Sequence, residues 1–481
     1  MSEALSDRRT SSGSSIAVDP VGHAGFVPGQ IAARLDRLPP TLVQWRYCLI
    51  AQYVWALAAA GGAYASFLYP YVWSSDFGHR EYAWLNALQV GLGVTIGSYV
   101  GGYVADRFGR KTVLVIGSLL AGLGVVGGGL VAPSFAGLLA MAAGQSIGVG
   151  FVVATSMLYM HELVPPSFRG RMTLGAQASS AIWSIIGFMI GYVLVPDDYR
   201  VYLYVIGAAS IIGAAALLTV PESPRWLETK GRMSEAIATL EKIERAVERR
   251  VGALPEPARC DVAQVEVTER VPLREVFRGE TLRRTLLLTT AWFLGFSGIV
   301  FGFTAYQSIF LAHYGFTAPQ FFLILMLLYG PGYAGGALVF SLFNERFERR
   351  SLVLIGALVF AFAFALIWFF SYVHQVNAVQ YIGWTLAGAG SALWLFNMHN
   401  LTATAFPTQV RSTATGLAFG IGHLGAVFGP VVVVYLGDAT RDHGFYGFLL
   451  YCVIIGGLVP GLLVRIFGTK QSGETLERIA S

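Results

Sequence analysis

Long stretches without a charged residue recur along the whole chain, and they constrain its fold more than any other feature. Each stretch is close to the ~20 apolar residues that a helix needs to cross the hydrocarbon core of a bilayer. The chain is 55% hydrophobic and only 13% charged, with a mean hydropathy of +0.59. This composition excludes a water-soluble domain of this length and predicts an integral membrane protein built from helices.

The predicted spans fall into two groups of six that are separated by a polar interval. Those of the first group lie at roughly 45–70, 84–105, 112–131, 135–161, 172–195 and 200–220. Those of the second group lie at roughly 283–312, 318–342, 351–373, 377–405, 411–436 and 443–467. We therefore predict an all-α fold with twelve transmembrane helices in two six-helix halves. The predicted units are a tail at 1–44, halves at 45–220 and 283–468, a linker with helices at 221–282, and a tail at 469–481.

The basic residues predict the orientation in the membrane. If both termini lie on one side, all 33 Lys and Arg residues except Arg80, Arg200 and Arg441 lie on that side too. The positive-inside rule makes it the cytoplasmic side of an inner or plasma membrane. The net charge of +5 is thus a topology signal, with the bilayer as the partner and no patch for nucleic acid. The three cysteines have no metal-binding spacing, so no metal or cofactor is expected, and we expect a monomer.

A cluster of charge between two apolar runs occurs twice in the chain. The segment 101–111 (GGYVADRFGRK) recurs in shorter form at 344–350 (NERFERR), and the pattern at 162–169 recurs at 404–411. Such pairs predict two homologous halves in parallel order. Charges at matching ends predict a latch that closes the halves on the cytoplasmic side, while simple anchoring of the helix ends is the alternative. The latch residues are Asp106, Arg107, Arg110, Glu162, Arg169, Glu345, Arg346 and Arg411.

These motifs resemble those of the major facilitator superfamily over nearly the whole chain. Residues 102–111 match its loop motif G-x-x-x-D-R-x-G-R-K, and PESPRWL at 221–227 resembles the branch of sugar porters and related metabolite transporters. The E-x-x-P-x-x-x-R-G element at 162–170 agrees with that branch. The resemblance implies transport by alternating access, with a substrate site between the halves near the bilayer midplane.

Departures from the sugar-porter pattern limit the substrate. Gln177 matches a glutamine of that branch, but the seventh-span signature Q-Q-x-S-G-x-N is replaced by LGFSGIV at 294–300. A hexose would lose hydrogen-bond partners for its hydroxyls there. No Asp or Glu lies inside a predicted span, so the usual carboxylate proton carrier is missing as well.

Two histidines are the deep ionisable groups of the predicted spans. By the resemblance, His399 and His423 stand where sugar porters carry tryptophans that face the cavity. Since an unperturbed imidazole has a pKa of about 6.5, His423 is a candidate for binding an anion or carrying the coupling proton, with proton uptake on substrate binding. We place the site between Gln177 and the two histidines; each polar group has interhelical hydrogen bonding as its alternative. Further candidates are Gln145, Asn397, Trp394, Tyr306 and Gln307.

The pattern as a whole predicts a secondary transporter of a small polar organic metabolite, an organic acid or an aromatic or sugar-like compound. Protons are the candidate coupling ion. An ion-independent facilitator and a nutrient sensor built on a transporter fold are the alternatives. An enzyme is not expected, because the spans contain no buried acid or nucleophile–base pair and the chain contains no P-loop.

Overall fold

The chain folds into a bundle of helices. The computed structural model describes residues 30–62, 64–165, 182–257, 277–341, 347–373, 377–406, 411–439 and 449–469. Within these residues the regular secondary structure is helical and contains no strand. Eight helices of this part are long and apolar enough to cross a bilayer. The prediction of an all-α membrane protein is confirmed.

The helices are numbered here in chain order. Those of the N-terminal part and of the linker are α1 (Gln30–Asp36), α2 (Leu42–Gly62), α3 (Tyr64–Leu68), α4 (His79–Asn86), α5 (Gly93–Phe108), α6 (Arg110–Val131), α7 (Phe135–Leu163), α8 (182–194), α9 (Tyr199–Leu218), α10 (Pro224–Thr229) and α11 (Met233–Val251). Those of the C-terminal part are α12 (Gly279–Gly295), α13 (Phe301–His313), α14 (Ala318–Leu327), α15 (Gly336–Ser341), α16 (Arg349–Val373), α17 (Asn377–Thr404), α18 (Arg411–Gly422), α19 (Gly425–Ala439) and α20 (Val459–Phe467). Short π-helical segments lie at Tyr69–Trp73, Ala87–Leu92, Phe296–Val300, Leu328–Gly335 and Leu449–Leu458.

Each of the twelve predicted spans contains helix in its described residues, and the fifth and twelfth are described only from residues 182 and 449 onward. Six are single helices in the described residues, such as α6, α7, α16 and α17, whereas the other six are divided among two or more helical segments. The seventh span consists of α12, a π-helical segment and α13, and the eleventh is broken between α18 and α19 at His423. The fold is therefore twelve transmembrane helices in two six-helix halves. Breaks of this kind occur where transporters place their binding sites.

The two halves meet on the face of the bundle away from the linker. Aromatic rings of both halves interlock there, with Phe67 and Tyr71 of the first half 6.1 Å and 5.4 Å from the ring of Phe321. Phe188 packs at 5.4 Å from Tyr329. The hydroxyl of Tyr82 donates to the backbone carbonyl of Ala305 across the same joint at 2.5 Å. We call this set of contacts the outer aromatic joint, and it closes this end of the bundle.

The linker helices lie on the opposite end, which we call the linker face. Ser223 caps α10 through its side chain and Pro224 follows at the first helical position, as expected of a helix start. Helix α11 is amphipathic and buries Leu240, Ile243 and Val247 under the bundle, as its sequence pattern predicts. Helix α11 begins at Met233, and its N-cap residue, Arg232, makes no side-chain capping hydrogen bond.

Candidate functional site

A cluster of aromatic rings surrounds both histidines in the second half. His423 lies 4.4 Å from the ring of Phe296 and 4.7 Å from that of Phe419. His399 lies 4.7 Å from Trp292 and 5.2 Å from the same Phe419 ring. These residues come from three spans, since Trp292 is on α12, His399 on α17 and Phe419 on α18. The structure thus brings together the two histidines that the sequence placed in the substrate site.

Glycines of the eleventh span allow this close approach. A Cβ atom on Gly422 would lie 2.4 Å from the Cβ of Trp292, and one on Gly425 would lie 2.1 Å from a backbone oxygen of α12. Both contacts are too short for any residue other than glycine. The break around His423 therefore sits where backbone meets backbone, and this fixes the histidine close to the aromatic rings.

The hydrogen bond of His399 defines its tautomer. Its Nδ1 lies 2.9 Å from the backbone carbonyl oxygen of Leu395, one turn earlier in α17. Because a carbonyl oxygen can only accept, Nδ1 must carry the proton and donate it. The Nε2 atom of a neutral His399 is then an acceptor, and the side chain is exposed. This nitrogen can accept a hydrogen bond from a solute or, once protonated, donate one to an anion.

The other predicted site residues have different surroundings. Gln145 is fully buried in the first half, where its side-chain oxygen accepts from Gln89 at 2.8 Å. Gln307 is buried on the same side of α13 as Phe303 and Phe310, which both pack against Trp384 of α17. Neither amide lies in the histidine cluster. Gln177 and the side chain of Tyr306 lie outside the described residues.

Asn397 and Trp394 lie on α17, the helix that also carries His399. Asn397 is buried and donates from Nδ2 to the backbone carbonyl of Leu393. Trp394 is fully buried, with its ring 5.8 Å from that of Trp292. The sequence analysis did not predict the aromatic residues whose rings lie closest to the histidines, namely Trp292, Phe296 and Phe419. Their signal in the sequence is weak, because aromatic residues at helical spacing more often fill a core.

A second group of interacting residues lies on the linker face and includes part of the predicted latch. Arg110 is buried and pairs with Asp106 at 2.6 Å and with Glu162 at 3.3 Å. Arg107 contacts Tyr103 and the ring of Phe108 on its own helix. Arg169, Glu345, Arg346 and the side chain of Arg411 lie outside the described residues. The contacts that the structure shows for the latch are therefore those of the first half.

Glu222 of the PESPRWL motif is a member of this group that the latch prediction missed. Its carboxylate accepts from the backbone N–H groups of Arg110 and Lys111 at the start of α6, at 3.0 and 3.1 Å. Burial raises the pKa of Glu222, and the hydrogen bonds from the backbone N–H groups of Ser223, Lys111 and Arg110 offset part of that rise. An acid at a helix N-terminus also interacts favourably with the helix dipole.

The short helix α1 joins the same face through a charged contact that we call the α1 clasp. Arg34 donates two hydrogen bonds to Glu244 of α11, at 3.1 and 2.5 Å, and Arg37 donates a third at 2.7 Å. Asp36 pairs with Arg225 of α10. Burial of Glu244 opposes its ionisation, but the hydrogen bonds and charges of the two arginines outweigh that effect and hold the pKa of Glu244 below its ordinary value.

Comparisons with known proteins agree on the kind of molecule. The family described as "Sugar (and other) transporter" matches residues 64–481. The niacin transporter NiaP of Acinetobacter baylyi is 26% identical over 399 residues, which cover 81% of this chain and 85% of that protein. The inner membrane metabolite transport protein YdjE of Escherichia coli is 24% identical over 474 residues, 94% of this chain and 98% of that protein.

The fold has close counterparts among solved structures. The xylose transporter XylE from Escherichia coli, in a partially occluded inward-open conformation, matches with a TM-score of 0.68 at 20% identity. The match covers 90% of this chain and 100% of that one. At this level of identity the likeness shows the fold alone.

Proposed function

Because this chain belongs to the sugar (and other) transporter family and is a secondary transporter of small metabolites, we propose that its substrate is a small planar acid with an aromatic ring. The observation that carries the proposal is the partly exposed ring of Phe419, which packs against both His399 and His423. The buried rings of Trp292 and Phe296 pack against Phe419 and hold it in place. Aromatic faces and edges bind a flat ring, while a protonated imidazole binds a carboxylate. A pyridine or benzene carboxylate needs both.

The absence of the polar residues of the sugar-porter signature supports the same substrate. The glutamines and the asparagine of the sugar-porter signature are replaced by Leu294, Gly295 and Val300, which offer no side-chain hydrogen bond to a sugar hydroxyl. A site that lacks polar groups for hydroxyls and contains aromatic rings favours a ring over a polyol. The name of the niacin transporter NiaP refers to a pyridine carboxylic acid, which has this chemistry.

We also propose that a proton moves with the substrate. His423 remains the candidate carrier, and His399 is its neighbour, with Nδ1 bonded to the chain and Nε2 available. A carboxylate that enters as an anion is stabilised if an imidazole takes up a proton at the same time. Gln177 is proposed to face this pair from the first half, with Asn397 and Trp394 in supporting positions on α17. Gln145, Tyr306 and Gln307 are proposed as substrate contacts outside the histidine cluster.

The linker face is proposed to be cytoplasmic, with both termini on that side and the protein acting as a monomer in a cell membrane. The distribution of Lys and Arg supports this orientation. On that face the latch residues of the two halves would meet when the transporter opens outward and separate when it opens inward. Cysteines introduced at Asp76 and Gln264 should then be labelled from opposite sides of the membrane. Labelling from one side would contradict the orientation.

The decisive experiment measures uptake of labelled nicotinate and benzoate into proteoliposomes, with and without a pH gradient. Uptake that is driven by the gradient in the parent and lost in His399→Gln and His423→Gln supports the proposal. His161→Gln is the matched control, because His161 lies at the linker end of α7, outside the aromatic cluster.

Three other outcomes are informative. Uptake of both acids without any effect of the gradient would identify an ion-independent facilitator. Uptake of pentoses or hexoses instead of the acids would refute the aromatic substrate. Normal uptake with an unchanged pH profile in both histidine variants would show that His399 and His423 serve only in helix packing.

A further inference from the structure

One buried hydrogen bond holds the aromatic cluster in place. The indole Nε1 of Trp292 donates to the side-chain hydroxyl of Thr402 at 2.9 Å. That hydroxyl in turn donates to the backbone carbonyl of Met398, one turn earlier in α17, at 2.7 Å. Trp292 is fully buried and Thr402 is 1% exposed, so water does not compete for either group. Because the Thr402 hydroxyl donates its hydrogen to Met398, a lone pair on its oxygen can accept the hydrogen bond from the indole N–H.

The bond determines how the Trp292 ring can turn. The stem of this side chain is enclosed by α18, because Gly422 of that helix approaches its Cβ atom too closely to allow another residue. The freedom that remains is rotation of the indole about its side-chain torsions. A buried indole N–H that lost its acceptor would be destabilised, so the bond to Thr402 selects one orientation.

That orientation sets the geometry next to His399. The ring centroids of Trp292, His399 and Phe419 form a triangle with sides of 4.7, 5.1 and 5.2 Å. Thr402 lies three residues after His399 in α17, so its hydroxyl and the imidazole hold the same indole from one helix. Trp394 makes an instructive contrast, since it is fully buried with no hydrogen-bond partner for its Nε1 among the described residues.

We propose that Thr402 is a positioning residue that makes the site selective for a planar aromatic acid by fixing Trp292 against His399. The inference rests on the proposed function, because it assigns selectivity to the site described there. Thr402 does not touch the substrate. It acts through the buried indole, which packs against the exposed His399 and the partly exposed Phe419 and fixes the orientation of these two rings, which meet the substrate.

The test compares Thr402→Val with Thr402→Ser and with Thr385→Val. Valine keeps the shape of threonine and removes the hydroxyl, whereas serine keeps the hydroxyl. Thr385 is the matched control, because it lies in the same helix and donates the same kind of bond to a carbonyl one turn earlier, that of Tyr381. Nicotinate, benzoate and the ring-free acid propionate are the probes. Ultraviolet resonance Raman spectra report the hydrogen bonding of the indole N–H.

We expect Thr402→Val to lose one hydrogen-bonded indole signal and to weaken nicotinate and benzoate binding by about 10-fold, as for a lost buried hydrogen bond, with propionate binding changed much less. Thr402→Ser should restore both properties, and Thr385→Val should resemble the parent.

Different results would refute the proposed function and the positioning role of Thr402. If the parent binds no aromatic acid, the proposed function and this inference are both wrong. If the parent binds nicotinate and Thr402→Val binds it equally well, this inference alone is wrong. An equal loss of all three acids in Thr402→Val would also overturn it, because that result describes general damage to the fold rather than selectivity for a ring.

Discussion

Replacing Glu244 with alanine removes the single carboxylate at the centre of the α1 clasp. Its side chain is 8% exposed and receives hydrogen bonds from Arg34 and Arg37, which are 20% and 17% exposed. The same contact covers Ile31 and Leu35 of α1, which are fully buried. The docking of α1 therefore combines an apolar face and the Asp36–Arg225 pair, which the variant keeps, with the partly buried ion pair to Glu244, which it loses.

The size of the loss follows from this burial. A hydrogen bond to a charged group contributes about 1.5 to 3 kcal/mol, and a fully exposed ion pair at most about 1 kcal/mol. The two arginines retain some access to water, so they regain hydration when Glu244 is absent. We expect a net loss of about 2 kcal/mol in the docking of α1, which corresponds to a population of the undocked state about 30-fold higher.

Hydrogen exchange measured by mass spectrometry reports the population of the state in which α1 is undocked. In the purified transporter, peptides that cover residues 30–38 should exchange about 30-fold faster in Glu244→Ala when α1 recloses faster than its open amides exchange. Glu241→Ala is the control on the same helix. The Glu241 side chain pairs with Arg245, and both are largely exposed, at 43% and 65%. Its effect on α1 should be much smaller, because Glu241 acts on Arg34 only through the screened attraction of exposed charges, and the Glu241–Arg245 ion pair lies within α11.

Equal exchange in the two variants would refute the reasoning. It would mean that the apolar face and the Asp36–Arg225 pair are enough to dock α1, and that the ion pair to Glu244 contributes nothing measurable. Faster exchange throughout α11 as well as α1 would point to unfolding of the linker rather than release of the clasp.

Three further predictions concern pH, the latch and the contact between the halves. Since the folded-state pKa of Glu244 is lowered, its contribution is full above its ordinary value of 4.5 and is lost as pH falls below that value. Acid should therefore lower the protection of the α1 amides, taken relative to their intrinsic exchange rate at each pH, in the parent but not in Glu244→Ala. Asp106→Asn should reduce uptake and leave nicotinate binding intact, because the exposed Asp106 pairs with Arg110 far from the histidines; equal loss of both at normal expression would make the motif structural. Gly420→Ala should reduce uptake, since its Cβ would lie 1.6 Å from the Tyr99 hydroxyl, and adding Tyr99→Ala should restore it; additive losses would exclude this contact.

The positions of the spans could be predicted because each depends on local composition. A run of about 20 apolar residues forms a helix in a bilayer wherever it occurs, since no other structure satisfies its backbone hydrogen bonds there. The same holds for α11, whose buried face at Leu240, Ile243 and Val247 is visible as a helical period. The interruptions at His423 and within the seventh span do not follow from composition, because they arise where neighbouring helices press on the backbone.

The candidate site separates what the local sequence predicts from what helix packing decides even more clearly. His399, Gln145 and Gln307 share one signature in the sequence, a polar side chain within an apolar run. The rotation of each helix about its axis decides whether that side chain faces the aromatic cluster or another helix. For the second half, that rotation depends on contacts such as Gly422 against Trp292, which join residues far apart in the chain.

By itself, then, the sequence determined a membrane protein of twelve helices in two related halves, with its basic residues concentrated on one side. Those properties follow from hydropathy, period and charge, which act locally. Only the tertiary structure decided that His399 and His423 share a wall of rings, that Thr402 holds Trp292, and that α1 is fastened to α11. These contacts depend on how helices approach and rotate in three dimensions, and that is a property of the packed bundle rather than of any single segment.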